Sequence, residues 1–211
     1  MTLYFDPRDP HLREKVMSLS PTHGYVVFVD IKGSTALKDS DFHRWASLIH
    51  NAFANIRTFM VDEAFPLKCI GDELMYFIPG DLLKSTGQVP LQLFEGLVSV
   101  LADTDPLFPP QKAAIVEGEA YEMTFVEGVP DVYGKDVDLA ARLCSMAESR
   151  ELLMNRAFRD TLEKDFQLFG GGGAHEAVQR ITPKGPQGFK GFSTKVEVFA
   201  HSTQPPARPS P

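Results

Sequence analysis

Only two cysteines and one tryptophan occur in 211 residues, and the chain has neither a long apolar run nor an excess of positive charge. Cys69 and Cys144 each lie among apolar neighbours, so two buried free thiols are expected and a disulfide framework is excluded. No uninterrupted apolar stretch reaches the roughly 20 residues of a membrane-spanning helix. The opening Met1-Thr-Leu-Tyr-Phe-Asp-Pro-Arg-Asp-Pro10 also lacks the basic-then-apolar pattern of a secretion signal, so no membrane partner and a cytoplasmic location are expected. Lys and Arg number 21 against 28 Asp and Glu, a formal net charge of −7. That balance argues against a nucleic-acid polymer as partner and leaves room for a local basic pocket holding one nucleotide. There is no nucleophile elbow, no Walker lysine motif and no His pair at zinc spacing with a third ligand. His43 and His50, seven apart, therefore read as surface or interface residues.

What is present is the composition of one compact domain, 43% hydrophobic and 23% charged, with chemistry concentrated at two aspartates. Asp30 ends the run Gly24-Tyr-Val-Val-Phe-Val-Asp-Ile-Lys-Gly-Ser-Thr35. A β-branched and aromatic run, then a glycine and two hydroxyls, then a helical pattern reads as strand, tight turn, helix. Backbone N–H groups of Lys32, Gly33, Ser34 and Thr35 at such a helix start favour a phosphate. Asp72 lies in Lys68-Cys-Ile-Gly-Asp-Glu-Leu-Met75, which reads as two short strands joined at Gly71-Asp72. Taken singly, each acid is also an ordinary helix cap or turn former. If the hairpin pairs with the first strand, the two carboxylates converge. At about 4 Å they repel by roughly 1 kcal/mol even in water, which a divalent cation resolves. Oxygen donors without clustered His or Cys favour Mg²⁺ or Mn²⁺ over Zn²⁺.

The pattern predicts an N-terminal extension over residues 1–22, a strand at 24–30, a helix at 36–60, strands at 65–70 and 73–78, and a helix at 88–103. Strands follow at 112–119 and 121–127, then a helix at 135–149, a strand at 152–154, a helix at 156–165, and strands at 176–182 and 194–201. The order gives an α+β fold, a ferredoxin-like βαββαβ core with additional strands and helices, over residues 23–202. Gly170-Gly-Gly-Gly173 reads as a flexible connector, and the Pro-rich residues 203–211 as a disordered tail. Trp45, Phe53 and Phe59 read as core or dimer contacts.

A third segment, Asp131-Val-Tyr-Gly-Lys-Asp-Val-Asp-Leu-Ala-Ala-Arg142, makes the pattern specific. Together with the two aspartate motifs, in this order, it resembles the class III nucleotidyl cyclases, the adenylate and guanylate cyclase catalytic-domain family. Ala114-Ile-Val-Glu-Gly118 and Phe189-Lys-Gly191 through Val196-Glu-Val-Phe199 resemble that family's linking and closing strands, so the resemblance spans roughly residues 22 to 201. It implies conversion of a nucleoside triphosphate to a 3′,5′-cyclic nucleotide and pyrophosphate, with two Mg²⁺ or Mn²⁺ ions per active site. It also implies metal ligation by Asp30, Asp72 and the Ile31 carbonyl, base reading by Lys68 and Asp131, and charge stabilisation on the reacting phosphate by Arg142.

Asp138 stands where most active members carry a ribose-positioning asparagine, and an ionised carboxylate accepts hydrogen bonds but donates none. Phe192 occupies the place of a phosphate-contacting lysine, with Lys190 nearby. The family implies a homodimer with sites at the interface, one protomer giving Asp30 and Asp72, the other Lys68, Asp131, Asp138 and Arg142. Lys68 and Asp131 resemble the adenylyl-type pair. A chain little longer than a catalytic domain also resembles the stand-alone pyrimidine cyclases of bacterial anti-phage (Pycsar) systems. In those, cyclic UMP or cyclic CMP is read by a separate effector, and Asp138 and the bulky Tyr76 suggest an altered nucleoside pocket of that kind, so UTP or CTP is the expected substrate and ATP, giving cyclic AMP, the alternative. A diguanylate cyclase and an inactive nucleotide-binding or docking module are the alternatives.

Overall fold

The computed structural model describes residues 3–59, 68–169 and 173–204. In chain order the elements are β1 (Leu3–Tyr4), α1 (Leu12–Met17), β2 (Thr22–Ile31), α2 (Ser34–Ser40), α3 (Phe42–Phe59), β3 (Lys68–Ile70) and β4 (Glu73–Pro79). They continue with α4 (Gly80–Ser85), α5 (Pro90–Ala102), β5 (Gln111–Thr124), β6 (Val132–Tyr133), α6 (Lys135–Met146), β7 (Glu151–Asn155), α7 (Arg156–Phe169), α8 (Gly173–Gln179), β8 (Thr182–Gln187) and β9 (Val196–Ser202).

The sheet order β3-β4-β2-β5-β7-β9-β8 contains the expected core. β2, α3, β3, β4, α5 and β5 form a βαββαβ unit with antiparallel strands, and β2 lies between β4 and β5. β5 then crosses through α6 to the parallel strand β7, and β9 and β8 extend that side antiparallel. β2 is covered on both faces, which is why Tyr25 to Val29 is apolar without alternation. Its Tyr25, Val27 and Val29 pack with Ile56 of α3, Phe94 and Leu97 of α5, and Phe158 and Leu162 of α7. Its Val26 and Phe28 pack with Val137, Ala140, Leu143 and Cys144 of α6. This second layer fixes α6 against the sheet.

Several elements depart from the sequence pattern. The helix expected at 36–60 is two helices, because Asp41, extended at φ −154°, accepts the Arg44 N–H at 3.0 Å and starts α3 afresh. The strands expected at 112–119 and 121–127 are the single strand β5, whose far end pairs with β1 in parallel, so the N-terminal extension is stitched to the sheet. Residues 176–179, expected as strand, close helix α8, where Arg180 pairs with Glu176 at 2.7 Å. The true strand, β8, starts at Thr182 and holds Pro183 and Pro186, which an edge strand tolerates. α4 and β6 were not foreseen. Cys69 is exposed rather than buried, since β3 is the sheet edge; Cys144 is buried as expected. Residues 65–67 of the expected strand, residues 170–172 of the glycine connector and residues 205–211 of the tail lie outside the described residues, as does the side chain of Phe59.

Candidate active site

The β2–β4 register sets Asp30 opposite Glu73, and the β2–β5 register sets it opposite Lys112. Gly71, at φ 67°, opens the β3–β4 turn in the left-handed region that favours glycine, so the turn closes in two residues and Asp72 comes to lie beside Asp30. Asp30, Asp72 and Glu73 thus share one corner, as the sequence required for convergence.

A lysine that the sequence pattern did not single out answers this negative charge. Lys112 Nζ lies 3.0 Å from Asp30 Oδ2, with the lysine side chain only 12% exposed. Burial pushes the Asp30 carboxyl above its ordinary value and the neighbouring Asp72 adds to it, while Lys112 pulls the other way. Glu73 is pushed up to about 7 by burial first and then by Asp30, against the pull of Lys112. The only sequence signal for Lys112 was a cation near the start of an otherwise apolar strand, directly across from an acid.

The phosphate turn is partly realised. Gly33 and Thr35 are exposed at the start of α2. The Lys32 N–H, however, is donated to the Pro110 carbonyl at 2.9 Å, and its side chain faces Glu148 at 3.9 Å. Ser34 is buried, and its hydroxyl donates to Asp72 Oδ2. Of the four backbone donors expected, that of Lys32 is therefore engaged within the chain, and the Ser34 hydroxyl is taken as well.

Lys68 and Asp131 meet, although 63 residues separate them. Lys68 Nζ lies 2.6 Å from Asp131 Oδ1, and the Tyr133 hydroxyl donates to Asp131 Oδ2 at 2.9 Å. The Val132 N–H also donates to Asp131, and Lys68 lies 5.5 Å from the centre of the Tyr133 ring. Burial raises the Asp131 carboxyl, but the bonds from Lys68, Tyr133 and Val132 outweigh it and hold the group below the usual range. Tyr133 is a second residue that motif reading missed. Tyr76 corrects the pattern in the other direction. Lys68 pairs with Met75, so the Lys68 side chain points to the α6 face, whereas Tyr76 points to the α3 face and is 1% exposed in the core. It does not narrow a base pocket built on Lys68 and Asp131.

Lys135, Asp138 and Arg142 fall on one stripe of α6. Asp138 is exposed and Arg142 half-buried. The Lys135 ammonium and the Arg142 guanidinium lie 5.1 and 6.0 Å from the centre of the Phe192 ring. Among the described residues, no hydrogen bond or ion pair joins this stripe to Asp30, Asp72, Lys68 or Asp131. The expected site residues therefore form three groups in one chain. Among the described residues, no cluster of three or more His, Cys, Asp or Glu side chains forms a metal cage. His43 and His50 are exposed on α3, and no helix is long and apolar enough to cross a membrane among the described residues.

No family model matches the chain. A stretch of 99 residues is 34% identical to an adenylate cyclase of Glutamicibacter nicotianae, covering 47% of this chain and 22% of that protein. The chain therefore matches less than a quarter of the length of this curated relative. Among solved structures, the adenylyl cyclase CyaB from P. aeruginosa superposes with a TM-score of 0.70 at 18% identity, over 90% of this chain and 98% of that one. An adenylate cyclase from Trypanosoma brucei, in its monomeric state, superposes at 0.64 and 17% identity over 92% of this chain and 96% of its own. The guanylyl cyclase Cya2 superposes at 0.62 and 14% identity over 90% and 96%. The chain has the fold of the class III adenylyl and guanylyl cyclase catalytic domains.

Proposed function

We propose that the protein is a nucleotidyl cyclase that converts a nucleoside triphosphate to its 3′,5′-cyclic monophosphate and pyrophosphate. The observation that carries this reading is the corner at Asp30, Asp72 and Glu73, which a single buried ammonium neutralises incompletely. Carboxylates crowded against burial call for further positive charge. The donors are all oxygen, and Lys112 on Asp30 already stands where a cation is needed, so the residues fit Mg²⁺ or Mn²⁺. Asp30, Asp72 and the Ile31 carbonyl would hold two such ions. When bound, they would supply a lowered pKa at the ribose 3′-hydroxyl and charge neutralisation on the triphosphate.

The chain's own residues do the rest. In the reaction the 3′-oxygen forms a bond to the α-phosphorus, the bond to the bridging oxygen breaks, and pyrophosphate leaves. Arg142 adds positive charge where the transition state gathers negative charge. Exposed Gly33 and Thr35 offer backbone donors to phosphate oxygens. Asp138 accepts a ribose hydroxyl. Lys68 donates to the base while Asp131, held ionised by Lys68 and Tyr133, accepts from it. A donor–acceptor pair of this kind fits a base with an exocyclic amino group next to a ring nitrogen, and ATP is the substrate it favours. Cytidine triphosphate offers the same edge. The pyrimidine reading, with cyclic CMP or cyclic UMP read by a separate effector in anti-phage defence, is the second one, and the fit of the cytosine edge to the Lys68–Asp131 pair favours it.

The active unit is a homodimer. One protomer contributes Asp30 and Asp72, and its partner Lys68, Asp131, Asp138 and Arg142. The absence, among the described residues, of any hydrogen bond or ion pair between Asp30 or Asp72 and these partners supports this, as do exposed Tyr121, Phe125, Val126 and Val129 around the far end of β5, an apolar surface of the kind that a second copy covers. The test is incubation with Mn²⁺ and each of ATP, GTP, CTP and UTP, with cyclic nucleotide and pyrophosphate read by mass. Cyclic AMP as main product is the expected result. Cyclic CMP or UMP would move the assignment to the second reading, and no product from any of the four would overturn it.

A further inference from the structure

Most cations packed around the sheet have an acid at hand: Lys112 has Asp30, Lys184 has Glu151, Arg156 has Glu197 and Arg159 has Glu163. Lys135 and Arg142 do not. Among the described residues neither has a carboxylate within ion-pair distance, in a chain whose formal net charge is −7. Asp138 lies three residues after Lys135 and four before Arg142, spacings at which helical ion pairs normally close. It pairs with neither. Both cations instead lean on the same aromatic ring, that of Phe192, at 5.1 and 6.0 Å from its centre.

That ring is a fixed support. Phe192 packs against the core layer under α6 and edge-on to Phe189 at 6.1 Å, and its N–H donates to the Phe189 carbonyl at 3.1 Å, closing a turn. A cation over an aromatic ring gains enough to orient its side chain but far from enough to neutralise it. The backbones of Lys135 and Arg142 are about 10 Å apart along the helix axis, two turns, but their charged ends converge on one ring, so a single anion with several charged oxygens can meet both. The ammonium serves as a mobile point charge and the guanidinium as a planar fork, a combination suited to a polyphosphate.

We infer that Lys135 is a phosphate-binding residue that meets the terminal phosphates of the nucleoside triphosphate beside Arg142, with Phe192 as the positioning residue for both. The inference rests on the proposed nucleotide site, and it is read without turnover. Binding of inorganic tripolyphosphate with Mg²⁺ is measured by calorimetry for the wild type, Lys135→Met, Lys135→Arg, Phe192→Leu and, as a control on exposed α7, Lys164→Met. Lys135→Met is expected to weaken binding about tenfold, and Lys135→Arg to stay within about threefold of wild type, as charge without shape would. Phe192→Leu is expected to weaken binding about threefold with an unchanged melting temperature, and Lys164→Met to have no effect. Wild type that does not bind tripolyphosphate, or a Lys135→Met variant that binds as well as wild type, would overturn the inference. If Lys135→Met weakens binding but no nucleotide is cyclised, the phosphate site stands and the cyclase reading fails.

Discussion

At the end of β2 three carboxylates share a half-buried corner with one ammonium, whereas on α6 an exposed lysine and a half-buried arginine form no ion pair among the described residues, although Asp138 lies between them. The first region is short of positive charge, and burial, then the neighbouring Asp30, push the Glu73 carboxyl up to about 7. The second keeps its positive charge uncompensated on an aromatic support. Each lacks what a metal–triphosphate complex carries: a cation for one, phosphate oxygens for the other. Among the described residues no hydrogen bond or ion pair joins Asp30, Asp72 or Glu73 to Lys135 or Arg142, although Lys112 donates to the Ser145 carbonyl of α6 at 3.5 Å; the proposed homodimer would set the acidic corner of one protomer against the cationic stripe of another.

Variants on either side of this divide should separate what each region does. The largest effect is expected from Asp30→Asn, which removes a carboxylate that neither Lys112 nor Asp72 can replace. Turnover to cyclic nucleotide should fall at least about a thousandfold, while tripolyphosphate binding on the α6 side persists. Retention of more than about a tenth of wild-type turnover would show that the acidic corner is not the reacting end.

A smaller loss is expected where α6 is anchored to β5. The Asp136 carboxylate accepts the Glu119 N–H at 2.9 Å and lies where a side chain on Gly118 would have to be. Gly118→Ala should push Asp136 off that bond and tilt the first turn of α6, costing about 1–3 kcal/mol of stability in denaturant melts. The double variant Gly118→Ala with Asp136→Ala should regain part of it, since the collision is gone and only the hydrogen bond is lost. A single variant as stable as wild type would remove Asp136 from the support of α6.

The smallest effect is the acidic corner's share of the pH dependence. Glu73 titrates near 4.5 when unfolded and at about 7 when folded, so between those values the folded state holds a proton that the unfolded chain releases. Stability from this group is therefore fully present below about pH 4.5, declines as pH rises, and is flat above about pH 7. Glu73→Gln should flatten that stretch of the melting-temperature profile. A profile that declines identically in the variant would place the titration elsewhere.

Much of this was legible in the sequence, for reasons that differ by element. Asp30 and Asp72 could be brought together because a strand end and a two-residue turn leave little freedom, and the register did so. The helix bearing Asp138 and Arg142 followed from its apolar Val137, Leu139, Ala140 and Leu143, which all reach the core. Lys112 was not legible, because its meaning lies in a partner on another strand, 82 residues away. Nor was the support that Phe192 gives to Lys135, which depends on how the 189–192 turn folds back over α6. Tyr76 was misread because strand alternation assigns a face only once the register with Lys68 is known.

Mixing two inactive variants tests the central claim most directly. Asp72→Ala lacks the acidic corner and Arg142→Ala the cationic stripe, and each homodimer carries two defective sites. In a mixed dimer one site receives both defects and the other none, so exchanged subunits should recover about a quarter of wild-type turnover. Recovery at that level, dependent on protein concentration, is the predicted result. A mixture as inactive as its components, with exchange verified by mass, would contradict an active site shared between two copies.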